Sequence, residues 1–246
     1  MPRIGTRKLY YLLSPQLRDL GIGRDRLFQI LKSNHMLIKP KKQYHITTDS
    51  HHHFRKHNNL IENLYIKRPE QVWVSDITYI GTRKNPMYLF LVTDAYSKKI
   101  MGYNVSDTLA STGAVLALEM ALRNRIYKRK ALIHHSDRGL QYCCNEYQNL
   151  LSKNEIECSM TEKHDPYENA VAERINGILK HEFINNISIS DKKLWWLFIR
   201  NSIDIYNSQR PHYSCFLLTP DQMHKQNKIK MRTYKKNENE ITSILT

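Results

Sequence analysis

Three runs of β-branched and aromatic residues, joined by two short turns, constrain the fold more than any other feature of the sequence. The runs span Val72–Ile80, Met87–Thr93 and Ile100–Val105, with turns at Gly81–Pro86 and Asp94–Lys99. Runs of this length and composition are typical of strands, and connections this short join antiparallel neighbours. The centre of the chain is therefore predicted to begin with three antiparallel strands in series.

After these strands the pattern alternates between helix and strand. Helical periodicity predicts helices at Thr112–Arg125, Asn145–Leu151 and about Glu168–Phe183. Two short apolar runs between them, Ala131–His134 and Ile156–Met160, predict a fourth and a fifth strand. The resulting order β-β-β-α-β-α-β-α indicates an α/β fold, a mixed five-stranded sheet with flanking helices.

Charge is distributed unevenly along the chain. The net charge is +15, with 14 Lys/Arg against 5 Asp/Glu in residues 1–70, 14 against 13 in 71–190, and 10 against 5 in 191–246. Basic arms around a nearly neutral centre are typical of a protein that grips a polyanion and keeps acidic groups at its site. A generally basic protein without such a partner is the alternative.

Four segments follow from these patterns. Residues 1–38 form a small helical segment, with helices at 6–20 and Arg24–Ser33 that resemble half of a helix-turn-helix unit or pack together for structural reasons alone. Residues 39–70 are polar and aperiodic, and we expect a basic linker able to extend along DNA. Residues 71–225 hold the core and further helices at Lys193–Tyr206 and after Thr219, and residues 226–246 form a polar tail.

The sequence gives no sign of a membrane or an oxidising compartment. No apolar run approaches the ~18 residues needed to cross a bilayer, and Met1–Lys8 lacks the apolar segment of a secretory signal. The four cysteines, at 143, 144, 158 and 215, match neither a disulfide framework nor a zinc knuckle. We therefore expect reduced cysteines, a cytoplasmic location and no membrane partner.

Three acids occupy positions that suit metal-assisted phosphodiester chemistry. Asp76 lies among apolar residues in the first strand, Asp137 follows the fourth, and Glu173 lies on the polar stripe of the long helix. Mg²⁺ prefers carboxylates and water as ligands, and two ions about 4 Å apart stabilise both the attacking and the leaving oxygen. Taken singly, each acid is more often a turn, cap or solvated residue.

Several long motifs, taken together and in order, go further than any single acid. They are Trp73–Tyr79, Leu91–Ser97, His135–Tyr142, Ser159–Thr161, Pro166–Glu173, Leu179–Glu182, Tyr206-Asn207, Arg210–His212 and Thr219-Pro220. This series resembles the second-reading-frame product of insertion-sequence transposases of the IS-three family, and its centre is similar to the catalytic domain of retroviral integrases. The spacing between Asp137 and Glu173 matches the acid triad of that family.

The resemblance implies a ribonuclease-H-like fold in which Asp76, Asp137 and Glu173 are both catalytic and metal-binding. The implied cofactor is Mg²⁺, with Mn²⁺ as a substitute and two ions per site. The implied reaction is hydrolytic nicking of DNA at the ends of an insertion sequence. Strand transfer follows, in which the freed 3′-hydroxyl attacks a phosphodiester without a covalent protein intermediate.

The resemblance also implies partners. Its DNA-binding residues would be Lys180, Asn169, Asn176, Arg138, Arg210 and His212. A helix-turn-helix subunit from the first reading frame would supply sequence-specific binding, and the active form on DNA would be a homodimer or larger. The DNA substrates would be the element ends and the target.

Some features depart from the family or favour another interpretation. Cys215 and Phe216 replace a common Leu and Gly, and the family motif at the N-terminus starts directly at Met1, which suggests a truncated or decayed element. The alternatives are a truncated, catalytically impaired DNA-binding remnant and a different nuclease on the same fold. Zinc binding by His53 and His57 is a weaker idea, since no Cys-x-x-Cys follows.

Overall fold

In a computed structural model, the chain forms a five-stranded mixed sheet with the spatial order β3-β2-β1-β4-β5. The structure describes residues 3–38, 57–82, 85–162, 169–185, 187, 189 and 191–226. The strands are β1 Val72–Gly81, β2 Pro86–Asp94, β3 Ile100–Ser106, β4 Leu132–Ser136 and β5 Ile156–Met160. β1, β2 and β3 pair antiparallel, while β4 is parallel to both β1 and β5. The predicted fold class is confirmed.

Helices cover both faces of the sheet. From the middle of the chain onward they are α4 Ser111–Arg123, α5 Leu140–Cys143, α6 Asn145–Lys153, α7 Ala170–Leu179, α8 Lys192–Gln209 and α9 Pro220–His224. One apolar core joins α4, α5 and α6 to the side of β1 that carries Trp73 and Ile77. A second core joins α7 and α8 to the side of β2 that carries Leu89 and Leu91.

Glycine sets the spacing between α4 and the sheet. A Cβ atom on Gly102 of β3 would lie 2.1 Å from the carbonyl oxygen of Ala117 and 2.5 Å from the amide nitrogen of Ala121. No other residue fits so close an approach of helix and strand backbones. α4 is thereby held tightly against β3.

The N-terminal segment contains three helices where the sequence predicts two. They are α1 Thr6–Leu12, α2 Ser14–Asp19 and α3 Arg24–Ser33, so the predicted helix at 6–20 is broken at Leu13. Pro15 lies in the first turn of α2, a position where its missing N–H removes no helical hydrogen bond. The N-cap of α1 is Gly5.

Part of the predicted linker packs on the core. The amide of Leu60 donates to Ser159 Oγ at 2.9 Å, and the amide of Met160 donates to the carbonyl of Asn58 at 3.2 Å. Ile61, Leu64 and Ile66 pack in an apolar cluster with Val72, Val74, Ala95 and Ala172. Residues 57–70 are therefore fixed against the sheet, and the rest of the predicted linker, 39–56, lies outside the described residues.

The long helix that carries Glu173 changes character near its end. α7 ends at Leu179, and the next five residues, Lys180–Ile184, form a π-helical turn. Such turns are rare and occur often at functional sites. Residues 227–246, which include most of the predicted polar tail, lie outside the described residues. No helix within the described part of the chain is both long and apolar enough to cross a membrane.

Candidate active site

The sheet brings the first two acids of the predicted triad side by side. β1 and β4 are adjacent and parallel, with Val74 opposite His135. Asp76 lies two residues beyond Val74, and Asp137 lies two residues beyond His135, directly after β4 ends at Ser136. Because the two strands run in the same direction, both carboxylates lie at the same end of the sheet.

α7 brings the third acid to the same place. Asn176 lies one turn after Glu173, and its side-chain amide donates a hydrogen bond of 2.7 Å to Asp76 Oδ2. At the start of the helix the side-chain amide of Asn169 donates to the carbonyl of Ser75 at 3.1 Å. These two bonds fix α7 on β1. They leave the oxygens of both amides buried and without a hydrogen-bond partner among the described residues.

The acids of this group influence one another. Burial raises the pKa of Asp76 to about 7, and the negative charges of Asp137 and Glu173 add to the rise. The hydrogen bonds from Asn176 and from the amide of Ile77 (2.9 Å) act in the opposite direction but do not cancel it. Loss of surrounding water also raises the pKa of Glu173. We name Asp76, Asp137 and Glu173 the Asp76 cluster.

The donor set of the Asp76 cluster fits a hard divalent cation. All its donors are carboxylate oxygens, and their mutual repulsion is the interaction that a bound cation would relieve. Among the described residues, however, no three His, Cys, Asp or Glu side chains lie close enough together to hold a metal ion. Asp137 and Glu173 both act on the pKa of Asp76, but the three acids are not grouped as a set of three ligands in the described residues.

Two of the predicted DNA-binding cations flank this cluster. Lys180 begins the π-helical turn and is half-buried; burial lowers its pKa, while the carboxylate of Asp76 acts to raise it. Arg138 directly follows Asp137 and is also half-buried. Their positive charges therefore lie beside the acids.

Two more of the predicted DNA contacts, Arg210 and His212, lie in the interior. Arg210 is 1% exposed and donates two hydrogen bonds to Glu182, of 2.6 and 2.7 Å. His212 is also buried, with Nε2 2.9 Å from the guanidinium of Arg210. Lys8 of α1 contacts the same Glu182 at 3.5 Å. Because these side chains are engaged inside the protein, we leave Arg210 and His212 out of the proposed DNA surface.

The two adjacent histidines of β4 belong to the core. His134 Nε2 lies 2.8 Å from both Ser75 Oγ and the hydroxyl of Tyr147, and His135 Nδ1 lies 2.8 Å from Ser159 Oγ. Burial, aided by the neighbouring His135, lowers the pKa of His134 to about 3, so it stays neutral. Of the histidines considered for zinc, His53 lies outside the described residues.

A second group of buried acids was not predicted. Glu70 accepts hydrogen bonds from the amides of Ile126 (2.7 Å) and Tyr127 (2.9 Å), and from His224 Nε2 (3.2 Å). Asp94 accepts hydrogen bonds from the amide and hydroxyl of Ser97, both 2.7 Å, and from the amide of Glu70 at 2.6 Å. We name Glu70, Asp94 and His224 the Glu70 cluster. It joins α9 to the core.

The mixed sheet with its flanking helices is the fold of integrase catalytic cores. An integrase core domain family matches residues 66–166, and a second integrase core domain family matches residues 154–220. The chain is 35% identical over 212 residues to the 31 kDa protein of insertion element IS600 from Shigella sonnei, covering 85% of this chain and 76% of that protein. It is 31% identical over 230 residues to transposase InsF of insertion sequence IS3fB from Escherichia coli K12, covering 90% and 80%.

The chain therefore belongs to the IS3 family of insertion-sequence transposases, which are polynucleotidyl transferases, as the sequence motifs predicted. Solved structures agree on the fold. A simian T-cell lymphotropic virus intasome chain, solved in complex with PP2A regulatory subunit B56 gamma, has a TM-score of 0.56 at 18% identity, covering 95% of this chain and 79% of that one. The HTLV-2 integrase catalytic core in complex with magnesium has a TM-score of 0.50 at 20% identity, covering 64% and 97%.

Proposed function

We propose that this transposase cleaves and joins DNA strands with two Mg²⁺ ions held by Asp76, Asp137 and Glu173. The observation that carries the proposal is the placement of the acids: Asp76 and Asp137 lie at the same end of adjacent parallel strands, and α7 brings Glu173 there through the bond from Asn176 to Asp76. The raised pKa of Asp76 agrees with this placement. A fold seldom crowds acids in this way without a cation to compensate them, and strongly shifted carboxyl groups concentrate at functional sites. The magnesium complex of the HTLV-2 integrase core supports the choice of metal.

The side chains around the acids have separate tasks in this proposal. When bound, the divalent ions would polarise the phosphodiester and activate the attacking oxygen. Asn176 holds Asp76 Oδ2 and so fixes the orientation of the central carboxylate. Lys180 and Arg138 place positive charge beside the acids, where they can contact the DNA phosphates on either side of the cleaved bond.

The proposed reaction has two stages and takes place in a complex of several subunits on DNA. Water first attacks the phosphodiester at an element end, and the freed 3′-hydroxyl then attacks the target strand. Because two ends must be held together, we propose at least a dimer on DNA, with a first-reading-frame helix-turn-helix subunit for end recognition. The intasome that resembles this chain supports an assembled form. A strictly monomeric complex on paired ends, measured by light scattering, would contradict the dimer.

The test is nicking and joining of a supercoiled plasmid that carries the element ends, with Mg²⁺, Mn²⁺ or EDTA. We expect metal-dependent activity in the unchanged chain and none in Asp137→Asn. Asp204→Asn is the matched control because Asp204 is exposed on α8, away from the acids, and should keep full activity. Equal activity in Asp137→Asn and the unchanged chain would overturn the proposal. DNA binding without cleavage by the unchanged chain would favour the catalytically impaired remnant.

A further inference from the structure

Tyr142 occupies a buried position next to the acids. It lies on the short helix α5, which starts three residues after Asp137, and only 3% of its surface is exposed. Its ring packs edge-on against Tyr147, with centroids 5.5 Å apart, and lies 6.3 Å from the ring of His134. The ring therefore belongs to the core shared by α4, α5 and α6.

The hydroxyl of Tyr142 is a polar group in an apolar core. It is shielded from solvent and has no hydrogen-bond partner within the described part of the chain. A buried hydroxyl without a partner loses its hydrogen bonds to water and gains none in return. Burial raises the pKa of Tyr142 well above its usual value, and the negative charges of Asp137 and Asp76 add to the rise, so both acids lie in its neighbourhood.

Tyr147 shows what a purely structural tyrosine looks like in the same core. It is completely buried, and its hydroxyl lies 2.8 Å from His134 Nε2, which also contacts Ser75 Oγ at 2.8 Å. Its polar atom is therefore satisfied within the protein. Both tyrosines are buried, but only the hydroxyl of Tyr147 has a hydrogen-bond partner among the described residues.

Asp137 is the acid most favourably placed to accept from Tyr142. The amide of Gly139, immediately before α5, donates to Asp137 Oδ1 at 3.0 Å, so the loop already bends the carboxylate back toward this helix. The acids must also draw closer before they can share an ion, since no three acidic or other metal-binding side chains are grouped for one in the described ranges. The Tyr142 hydroxyl has no partner in the described residues, and it is available to donate to Asp137 once the acids gather.

We propose that Tyr142 is a positioning residue whose hydroxyl donates a hydrogen bond to the carboxylate of Asp137 when the acids gather around divalent metal. The inference rests on the proposed function and adds a residue to it. The hydroxyl fixes Asp137 in its metal-binding orientation, as outer-shell donors do for the ligands of many metal sites. It is left without a partner when no metal is bound.

The proposal makes opposite predictions for the metal-free and the metal-bound protein. In Tyr142→Phe the metal-free protein should be at least as stable as the unchanged chain, because the substitution removes only an unsatisfied hydroxyl. Its affinity for Mn²⁺ should fall about tenfold, the range for loss of an outer-shell partner. Tyr147→Phe should behave in the reverse way, with a lower melting temperature and unchanged affinity for Mn²⁺.

The experiment is calorimetric titration of the whole protein with Mn²⁺, together with thermal melts in EDTA, for the unchanged chain, Tyr142→Phe, Tyr147→Phe and Asp137→Asn. Unchanged Mn²⁺ affinity in Tyr142→Phe would overturn the inference, and so would a fall in melting temperature as large as that of Tyr147→Phe. Asp137→Asn separates the two proposals. If it binds Mn²⁺ as well as the unchanged chain, the proposed metal site itself fails; if it loses binding while Tyr142→Phe keeps it, only the role of Tyr142 fails.

Discussion

The protein contains two groups of acids, and the central carboxylates of the two groups, Glu70 and Asp76, are compensated in different ways. In the Glu70 cluster the carboxylate of Glu70 contacts two backbone amides, His224 and, at 3.4 Å, the guanidinium of Arg125. In the Asp76 cluster the central carboxylate has one amide side chain, one backbone amide and two further acids as neighbours.

The difference appears in the pKa values. Burial acts to raise the pKa of Glu70, yet hydrogen bonds from His224 and the two amides outweigh burial, and the pKa is lowered. For Asp76 burial prevails and the pKa rises to about 7. Burial thus acts on both Glu70 and Asp76, and the partners of the two carboxylates distinguish them. A sheltered acid with its partners in place stabilises the fold, whereas one whose partners are other acids indicates a place for a cation.

The largest expected effect comes from Asp76→Asn. Strand cleavage should fall by at least about 1,000-fold, the upper range for loss of one charge-stabilising group in an active site. The melting temperature of the metal-free protein should hold or rise, because the substitution removes repulsion with Asp137 and Glu173. Cleavage assays and thermal melts in EDTA measure both. A large loss of stability would show that Asp76 is a structural acid like Glu70 and would remove the distinction.

The next largest effect is expected from Glu70→Gln. The substitution leaves Arg125 without its buried carboxylate and removes one of the two carboxylates beside His224, the other being Asp94. Loss of one member of a buried ion pair costs about 3–5 kcal/mol. Denaturant unfolding should show this loss, while the activity of the folded fraction stays intact. Glu157→Gln, on the exposed face of β5, is the control and should change neither. Loss of activity without loss of stability would instead place Glu70 in the catalytic machinery.

The smallest effect concerns pH. The pKa of His224 is raised because the carboxylates of Asp94 and Glu70 outweigh its burial. This pairing stabilises the fold fully below the unfolded pKa of about 6.5 and is lost as pH rises through the higher folded pKa. The pKa of Asp76 is raised from 3.8 to about 7, because the fold disfavours its ionised form. The metal-free protein should therefore also lose stability as pH rises from 3.8 to about 7.

The contributions of His224 and Asp76 to the dependence of stability on pH can be separated with variants measured in EDTA. His224→Gln should flatten the stability curve only above about pH 6.5, and Asp76→Asn should flatten it only below about pH 7. The groups that face His224 are Glu70, Asp94, the hydroxyl of Ser97, Lys99 and the ring of Tyr127. If His224→Gln lost stability above about pH 6.5 as the unchanged chain does, the Glu70 cluster would not depend on a charged histidine.

Most of the fold could be predicted because its signals are local. Strand and helix periodicity depend on residues a few positions apart, and the positions of β1 to β5 follow from them. The predicted triad residues could be named from motifs. The Glu70 cluster could not, since His224 and Glu70 are 154 positions apart and no pattern in the sequence connects them.

The other differences between the sequence-based predictions and the structure also arise from contacts between residues that are far apart in the sequence. Arg210 and His212 have the polar composition of a DNA contact, but their neighbour Glu182 lies 28 positions before Arg210 and is met only in the folded chain. Residues 57–70 show no periodicity because irregular backbone holds them, through contacts such as that of Leu60 with Ser159. Long-range pairing therefore accounts for what the sequence pattern missed.

The contact between residues 57–60 and β5 has a consequence for association. β5 is an outer strand of the sheet, and an outer strand with unpaired backbone groups can pair with another chain. Here the carbonyl of Asn58 accepts from the amide of Met160, and the amide of Leu60 donates to the side-chain hydroxyl of Ser159, so the protein's own preceding residues cover the Met160 end of this strand. A second chain can therefore pair with this end of β5 only by displacing residues 57–60.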